Sequence, residues 1–363
     1  MDRPPLVSIV MPVRNESAHL PRAFAAIETQ SYPRDRIEIL VVDGGSTDDT
    51  PDIVRRRMRA DPRICLLGGP GVNTPAAMQL GIAAARGDVV AKVDGHGWVN
   101  ERFVERAVAT LVADESVGCV GPIIVPVAES SVERAIALAR FSHLGVGGGV
   151  YTLEEREQDT DTVQCGVYRR SALVEAGGFD PELPFGEDEE ANHRLRLAGW
   201  RIRLDPAMRF SYRVRPSIAA LFRQYFRYGR ARVAVVRRHP AFGRLKHAVP
   251  AILVLVLAGS PVLAAATDSW GVMAVTWIGY SLAVLVGAVY LAARAGFRRF
   301  DLVAVAIATL HIGYGLGSMR GLLDSAPNSG AEGGEGLRRA GMEDERVPDE
   351  AKPEEEDRQR GAG

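Results

Sequence analysis

Val7-Ser8-Ile9-Val10-Met11-Pro12-Val13-Arg14-Asn15-Glu16 and Ile39-Leu40-Val41-Val42-Asp43-Gly44-Gly45-Ser46-Thr47-Asp48-Asp49-Thr50 are two strand-to-loop transitions, each passing from a β-branched apolar run into polar, acidic chemistry. A third run, Val89-Val90-Ala91-Lys92-Val93, stops at Asp94-Gly95-His96. Short runs of this kind, alternating with helix-like segments, predict a parallel sheet, and ligands of such sheets collect at the carboxyl ends of the strands. Three polar loops are therefore expected to line one crevice.

Farther along, Pro184-Phe185-Gly186-Glu187-Asp188-Glu189-Glu190 opens a helix predicted to run through His193, Leu195 and Leu197 to Gly199. Four consecutive carboxylates at a helix start complement its macrodipole, and Glu189 and Glu190 are expected to be solvated. In Gln224-Tyr225-Phe226-Arg227-Tyr228, Gln224 and Arg227 are three residues apart and share one helix face. Two readings stay open for residues 222–236. The helix could offer a guanidinium fork to a diphosphate, or lie at an interface with its arginines on lipid phosphates.

A chain of 363 residues holds one α/β domain of about 200 residues and something more. Residues 249–266, 271–293 and 302–319 are strongly apolar and each about long enough to span a bilayer core. Gly259, Ser260 and Pro261 interrupt the first, and His311 with several glycines interrupts the third. A buried apolar hairpin in a soluble protein is the competing reading.

The formal net charge of −1 hides a segregation, because ten Arg or Lys and no carboxylate lie between Arg213 and Lys246. Basic residues beside an apolar span mark its cytoplasmic side and attract anionic headgroups. Arg294, Arg298 and Arg299 argue the same for the loop between the second and third spans. From about Asp324 onward the chain is acidic and rich in Gly, Glu and Pro, and disorder is expected. Three crossings would put this tail outside, whereas a re-entrant third segment would keep it inside. The chain passes from Met1-Asp2-Arg3 straight into a strand, so the α/β domain is expected in the cytoplasm. Cys65, Cys119 and Cys165 have no metal-binding spacing and fit a reducing compartment as core residues.

Taken in order, the motifs at residues 12–16, 42–50, 94–96 and 186–190 resemble an inverting nucleotide-sugar glycosyltransferase of family 2, over roughly residues 6–230. The downstream layout is most similar to the membrane-bound, succinoglycan-type exopolysaccharide branch. The resemblance implies an α/β GT-A fold, with a Rossmann-like mixed sheet followed by transmembrane helices. It divides the chain into a catalytic domain (1–216), a basic amphipathic interfacial segment (217–247), a membrane domain of about three hydrophobic helices (248–320) and an acidic disordered tail (321–363). The implied reaction moves a hexose from a nucleotide-diphosphate sugar to a lipid-linked polyprenyl saccharide with inversion. Its setting is exopolysaccharide or cell-envelope glycan synthesis at the inner membrane, with membrane lipids but no nucleic acid as partners. A polyprenyl-phosphate glycosyltransferase, a processive polysaccharide synthase and an inactive nucleotide-binding scaffold are the rivals.

By the same resemblance, Pro12, Val13 and Glu16 belong to a loop that wraps the base. Asp43 accepts hydrogen bonds from base or ribose, for which a carboxylate's acceptor-only chemistry is suited, while Asp48 or Thr50 caps the next helix. Asn73 is placed near the diphosphate, and Gln79 stands where family members carry Asn. Asp94-Gly95-His96 takes the place of the Asp-x-Asp motif, with Asp94 and His96 as ligands of magnesium or manganese. His96 is a departure, since imidazole favours softer ions. Gly166 is expected to permit close approach of the donor sugar. Asp188 is the implied base that removes the acceptor hydroxyl proton, with Glu187 supporting it. Gln224 and Arg227 belong with the donor diphosphate, in an element similar to the Gln-x-x-Arg-Trp motif of membrane glycan synthases with Tyr228 in place of Trp.

Overall fold

β-Branched runs without polar alternation become strands buried on both faces. In the computed structural model, which describes residues 3–145, 156–183, 186–240, 243 and 245–324, β1 (Val7–Val13), β2 (Ile37–Asp43), β3 (Ile64–Gly68) and β4 (Val89–Lys92) are parallel as expected. Helices α1 (Leu20–Glu28), α2 (Thr50–Ala60) and α3 (Thr74–Ala84) connect them. Val13 pairs with Asp43 and Val10 with Lys92, so these strands end close together and their loops converge.

The second half of the sheet is mixed. β5 (Gly97–Val99), α4 (Phe103–Ala113), β6 (Val117–Val127), α5 (Ser131–Arg140), β7 (Gln158–Asp159), β8 (Val167–Arg169), α6 (Arg170–Glu175), α7 (Glu187–Leu197) and β9 (Arg201–Arg213) follow in order. The sheet runs β3-β2-β1-β4-β8-β6-β9-β5, with β7 paired to β9, and β8 is antiparallel to both its neighbours. This crossover puts α7 beside the end of β4.

Four long helices complete the described chain: α8 (Ile218–Arg238), α9 (Leu245–Thr267), α10 (Trp270–Arg294) and α11 (Phe300–Leu323). The last three are long and apolar enough to cross a membrane. The acidic tail from residue 325 lies outside the described residues.

The basic run meets the protein's own acceptors. Arg213 pairs with Glu129 and Glu133, Arg232 with Glu189, Arg238 with Asp180 and Glu182, and Arg230 with Asp324. Arg237 donates to the carbonyls of Leu322 and Asp324.

Candidate active site

The loops after β1, β2 and β4 face α7 and α8 across a cavity of about 1230 Å³. Pro12, Val13, Glu16, Gly44 and Asn73 line its strand-end side, with Asp94, His96, Glu187 and Asp188 farther along. Gln224, Arg227 and Tyr228 line it from α8, and beyond them the walls are Val249, Pro250 and Leu253 of α9 and Tyr314 of α11.

Buried behind Asp94, Glu187 and Asp188 of the cavity lining is a residue that sequence reasoning passed over. Lys92 ends β4 with a side chain only 1% exposed, and its Nζ lies 2.8 Å from Asp188 Oδ1, 2.9 Å from Glu187 Oε1 and 3.8 Å from Asp94 Oδ1. Gly186 enters α7 with φ +78°, in the left-handed region that suits glycine, and the first turn then aims both carboxylates at Lys92. One ammonium faces three carboxylates, so the cluster keeps excess negative charge and holds a proton tightly. Burial pushes Asp188 up to about 7, with Lys92 pulling downward and Glu187 and Asp94 adding to the rise. For Lys92, burial opposes the charge, but Asp188, Asp94 and Glu187 outweigh it and keep the ammonium well above its usual range.

Glu189 and Glu190 are not solvated caps. Glu190 is buried and pairs with Arg194 and His239, while Glu189 pairs with Arg232. Together they tie α7 to the far end of α8.

Asp94 Oδ2 accepts from the Cys165 thiol at 3.6 Å, whereas Oδ1 is buried without a hydrogen-bond partner. His96 Nδ1 lies 3.5 Å from Glu16 Oε1. Burial alone would lower the imidazole's affinity for protons, but Glu16 and Asp94 raise it above the ordinary value. Among the described residues, no group of three or more His, Cys, Asp or Glu is placed to hold a metal. The orphaned Asp94 oxygen nevertheless suits a magnesium-type ion, which takes one or two protein ligands and completes its shell with substrate phosphates and water.

Comparison with known proteins identifies the family and the fold. A family model described as Glycosyl transferase family 2 matches residues 8–174. Succinoglycan biosynthesis protein ExoA of Rhizobium meliloti (strain 1021) is 30% identical over 328 residues, 87% of this chain and 94% of that protein. The chain belongs to glycosyltransferase family 2. A dolichyl N-acetyl-alpha-D-glucosaminyl phosphate 3-beta-D-2,3-diacetamido-2,3-dideoxy-beta-D-glucuronosyltransferase of Methanococcus voltae is 26% identical over 64% of this chain and 74% of its own length. Mannosyltransferase PcManGT from Pyrobaculum calidifontis, solved with GDP-Man and Mn2+, matches with a TM-score of 0.55 at 19% identity, over 89% of this chain and 88% of that one. That likeness identifies the mixed sheet as a GT-A glycosyltransferase fold, as the motifs implied.

Within this glycosyltransferase, several donor-side residues also make local hydrogen bonds. Asp43 is engaged by its own loop, its carboxylate accepting from the Gly45 N–H at 3.2 Å, the Ser46 N–H at 3.1 Å and the Ser46 hydroxyl. Its neighbour Gly44 lines the cavity instead. Asn73 lines the cavity but caps α3, accepting from the Ala76 N–H at 2.9 Å and donating to the Pro181 carbonyl at 2.8 Å. Gln79 donates to the Gly177 carbonyl. Asp48 and Thr50 accept from the Ser17 and Glu16 N–H groups, which staples the first two loops together, and Asp49 takes the cap position of α2. A Cβ at Gly166 would come 2.7 Å from Cys119 Sγ and 2.9 Å from the Tyr168 ring, so packing beneath the cavity requires that glycine rather than approach to a sugar.

On α8, Gln224 donates to the Tyr228 hydroxyl at 2.8 Å, and its buried Oε1 has no hydrogen-bond partner. Arg140 and Tyr212, hydrogen-bonded to each other, also line the cavity, with Tyr212 edge-on to His96. Neither was visible as a site residue, because α5 and β9 reach the cavity only through tertiary packing.

Proposed function

We propose that this glycosyltransferase moves a hexose from a nucleoside diphosphate sugar to a lipid-linked saccharide, inverting the anomeric carbon, in exopolysaccharide or cell-envelope glycan synthesis. The observation that carries this reading is the continuity of one cavity from Pro12, Gly44 and Asn73, past Asp188, to Val249, Pro250 and Leu253 on apolar α9. A polar head and an apolar chain would each meet matching walls there. Two relatives named for succinoglycan biosynthesis and for a dolichyl phosphate sugar support the same substrate class.

In the proposed reaction, Asp188 takes the acceptor hydroxyl proton as that oxygen attacks the anomeric carbon opposite the diphosphate. The glycosidic bond forms while the bond to the diphosphate oxygen breaks, and the nucleoside diphosphate leaves with the electron pair. A proton affinity near 7 matches a base to neutral conditions. Glu187 shares Lys92 and supports the base, and Lys92 acts through Asp188 as a positioning residue. The loop of Pro12, Val13 and Glu16 and the stapled loop of Asp43 hold the base, with Asn73, Gln224 and Arg227 toward the diphosphate. A divalent cation held by Asp94 and His96 would offset charge building on the departing diphosphate. The catalytic domain faces the cytoplasm, and the apolar helices sit in the inner membrane.

Release of nucleoside diphosphate from a panel of nucleotide sugars, with membrane extract as acceptor source, tests the donor half. Radiolabelled sugar should then partition into organic solvent with its configuration inverted. Label confined to water-soluble product would refute the lipid-linked acceptor, and a retained configuration would refute the single displacement.

A further inference from the structure

The three apolar helices are long enough to cross a bilayer, yet their surroundings differ. α9 and α10 turn large apolar side chains outward, with Val262 at 71%, Ile278 at 66% and Val275 at 75% exposure. α11 contributes Val303, Ala306, Ile307 and Leu310, each at most 1% exposed, to the same apolar cluster as the catalytic core, to which α10 adds Val284, Ala288 and Ala292 from its second half alone. It packs against α5 and α8 as well as α9 and α10.

The contact with α8 reaches the backbone. Gly313, Gly317 and Gly321 recur every fourth residue, and Cβ atoms there would press on the carbonyl oxygens of Phe222, Phe226 and Arg230, also four residues apart. A Cβ on Gly229 of α8 would in turn overlap the Tyr314 carbonyl. Matching steps in the same direction mean that the helices run parallel at the closest approach small residues permit.

The start of α11 rests on α5 of the catalytic domain and its end on α8. Before its start, Arg134 of α5 donates to the Ala295 carbonyl at 2.8 Å and lies 5.0 Å from the Phe297 ring centroid. In the middle, His311 reaches the Leu144 carbonyl and Arg232 the Tyr314 hydroxyl. At the end, Arg237 donates to the Leu322 carbonyl at 2.8 Å, and Arg230 pairs with Asp324. A 24-residue helix is roughly 36 Å long, enough to cross a bilayer, but here both ends stay on one body. Passing α11 through the membrane would carry along α8 and its six arginines, which hydrocarbon excludes.

The other two helices form a hairpin. Trp277 donates to Ser260 Oγ across it, and only Asp268 and Ser269 separate α9 from α10. α9 starts just after α8 with its Pro250 carbonyl against Gly315 of α11, and α10 ends beside Arg134 of α5, so both feet stand on the body formed by α5, α8 and α11 while side chains near the apex, Val262, Trp270 and Val275, are exposed. Trp270, exposed at that apex, suits the far headgroup layer.

We propose that α9 and α10 cross the bilayer and return, that α11 lies along the membrane surface beneath the catalytic domain, and that the chain beyond Asp324 emerges on the catalytic side. The pairing of α11 with α8 makes it a floor of the enzyme rather than a third crossing.

Three single variants of the full chain test this in bacterial spheroplasts: Val112→Cys on the catalytic domain, Ser269→Cys at the apex and Leu323→Cys at the end of α11. A membrane-impermeant maleimide is read against the parental chain, whose own three cysteines lie in the catalytic domain. Position 269 should label in intact spheroplasts, and positions 112 and 323 only after permeabilisation. Labelling of 323 alongside 269 would establish a third crossing and overturn the proposal. Labelling of 269 only together with 112 would mean that the hairpin does not cross, which overturns it equally. Alkaline phosphatase fused after Gly363 should stay inactive, and activity would place the tail across the membrane. No sugar transfer is read, so a wrong acceptor in the proposed reaction leaves these outcomes unaffected.

Discussion

Replacing Lys92 with methionine removes the one ammonium from a cluster in which its Nζ sits 2.8 Å from Asp188 and 2.9 Å from Glu187. Breaking a buried ion pair by deleting one partner costs about 3–5 kcal/mol when the remaining charge stays ionised. The cluster has a cheaper route, because Asp188 already titrates near 7 and can stay protonated. Lys92 lowers that proton affinity, so its removal must raise it. Each unit of rise corresponds to about 1.4 kcal/mol and removes roughly tenfold of the ionised base at a fixed pH below the shifted value. In the wild type, kcat/KM should rise with pH through about 7 as Asp188 loses its proton. In Lys92→Met it should fall at least about tenfold at pH 7, with the acid limb moved upward and part of the loss recovered near pH 9. Lys92→Arg retains the charge and should keep the limb close to its original place. A thermal melt of each variant separates misfolding from a shifted profile. A folded Lys92→Met enzyme whose acid limb has not moved would refute the view that Lys92 sets the proton affinity of Asp188.

Asp188→Asn should lower turnover at least about a hundredfold while nucleotide affinity stays nearly intact; near-normal turnover would transfer the role of base to Glu187. Chelator should abolish transfer, manganese or magnesium should restore it, and His96→Ala should raise the metal concentration required. Full activity in chelator would exclude metal assistance at Asp94. Gly317→Leu should destabilise the detergent-solubilised chain by about 1–3 kcal/mol through overpacking against Phe226, and an unchanged melting temperature would show that α8 and α11 are not at backbone contact.

The parallel half of the sheet was legible because β1, β2 and β4 are buried on both faces and read as largely apolar, β-branched runs. Asp94, Glu187 and Asp188 were legible because each sits at a strand end or a helix start, where polar residues interrupt such runs. Lys92 was not, since a lysine at the end of an apolar stretch looks like a solvated strand terminus. Its burial depends on α7, 95 and 96 residues downstream at the contacting positions, folding across the end of β4. The intramolecular partners of the α8 arginines were hidden for a related reason. As a local run they resemble a lipid-binding stripe, but the partners of Arg232, Arg238 and Arg230 lie 43, 56 and 94 residues away. One short-range signal could have been read, because Glu190 and Arg194 stand at the spacing of a helical ion pair.

Those long-range pairs place α8 between two tasks. One of its faces presents Gln224, Arg227 and Tyr228 to the cavity, and another packs backbone to backbone on α11. Arg232 joins Glu189, the neighbour of the proposed base, and also the Tyr314 hydroxyl of α11. Packed cores are stiff and shift as units rather than deforming smoothly. A displacement of α11 would therefore reach α7 through Arg232 and, by way of α8, through the Glu190–His239 pair, and with them the carboxylates gathered on Lys92. For the same reason the proposed seat of α11 on the membrane and the geometry of the proposed base belong to one packing arrangement, and the proposed lipid-linked acceptor, entering beside Pro250, would pass α8, which contacts both.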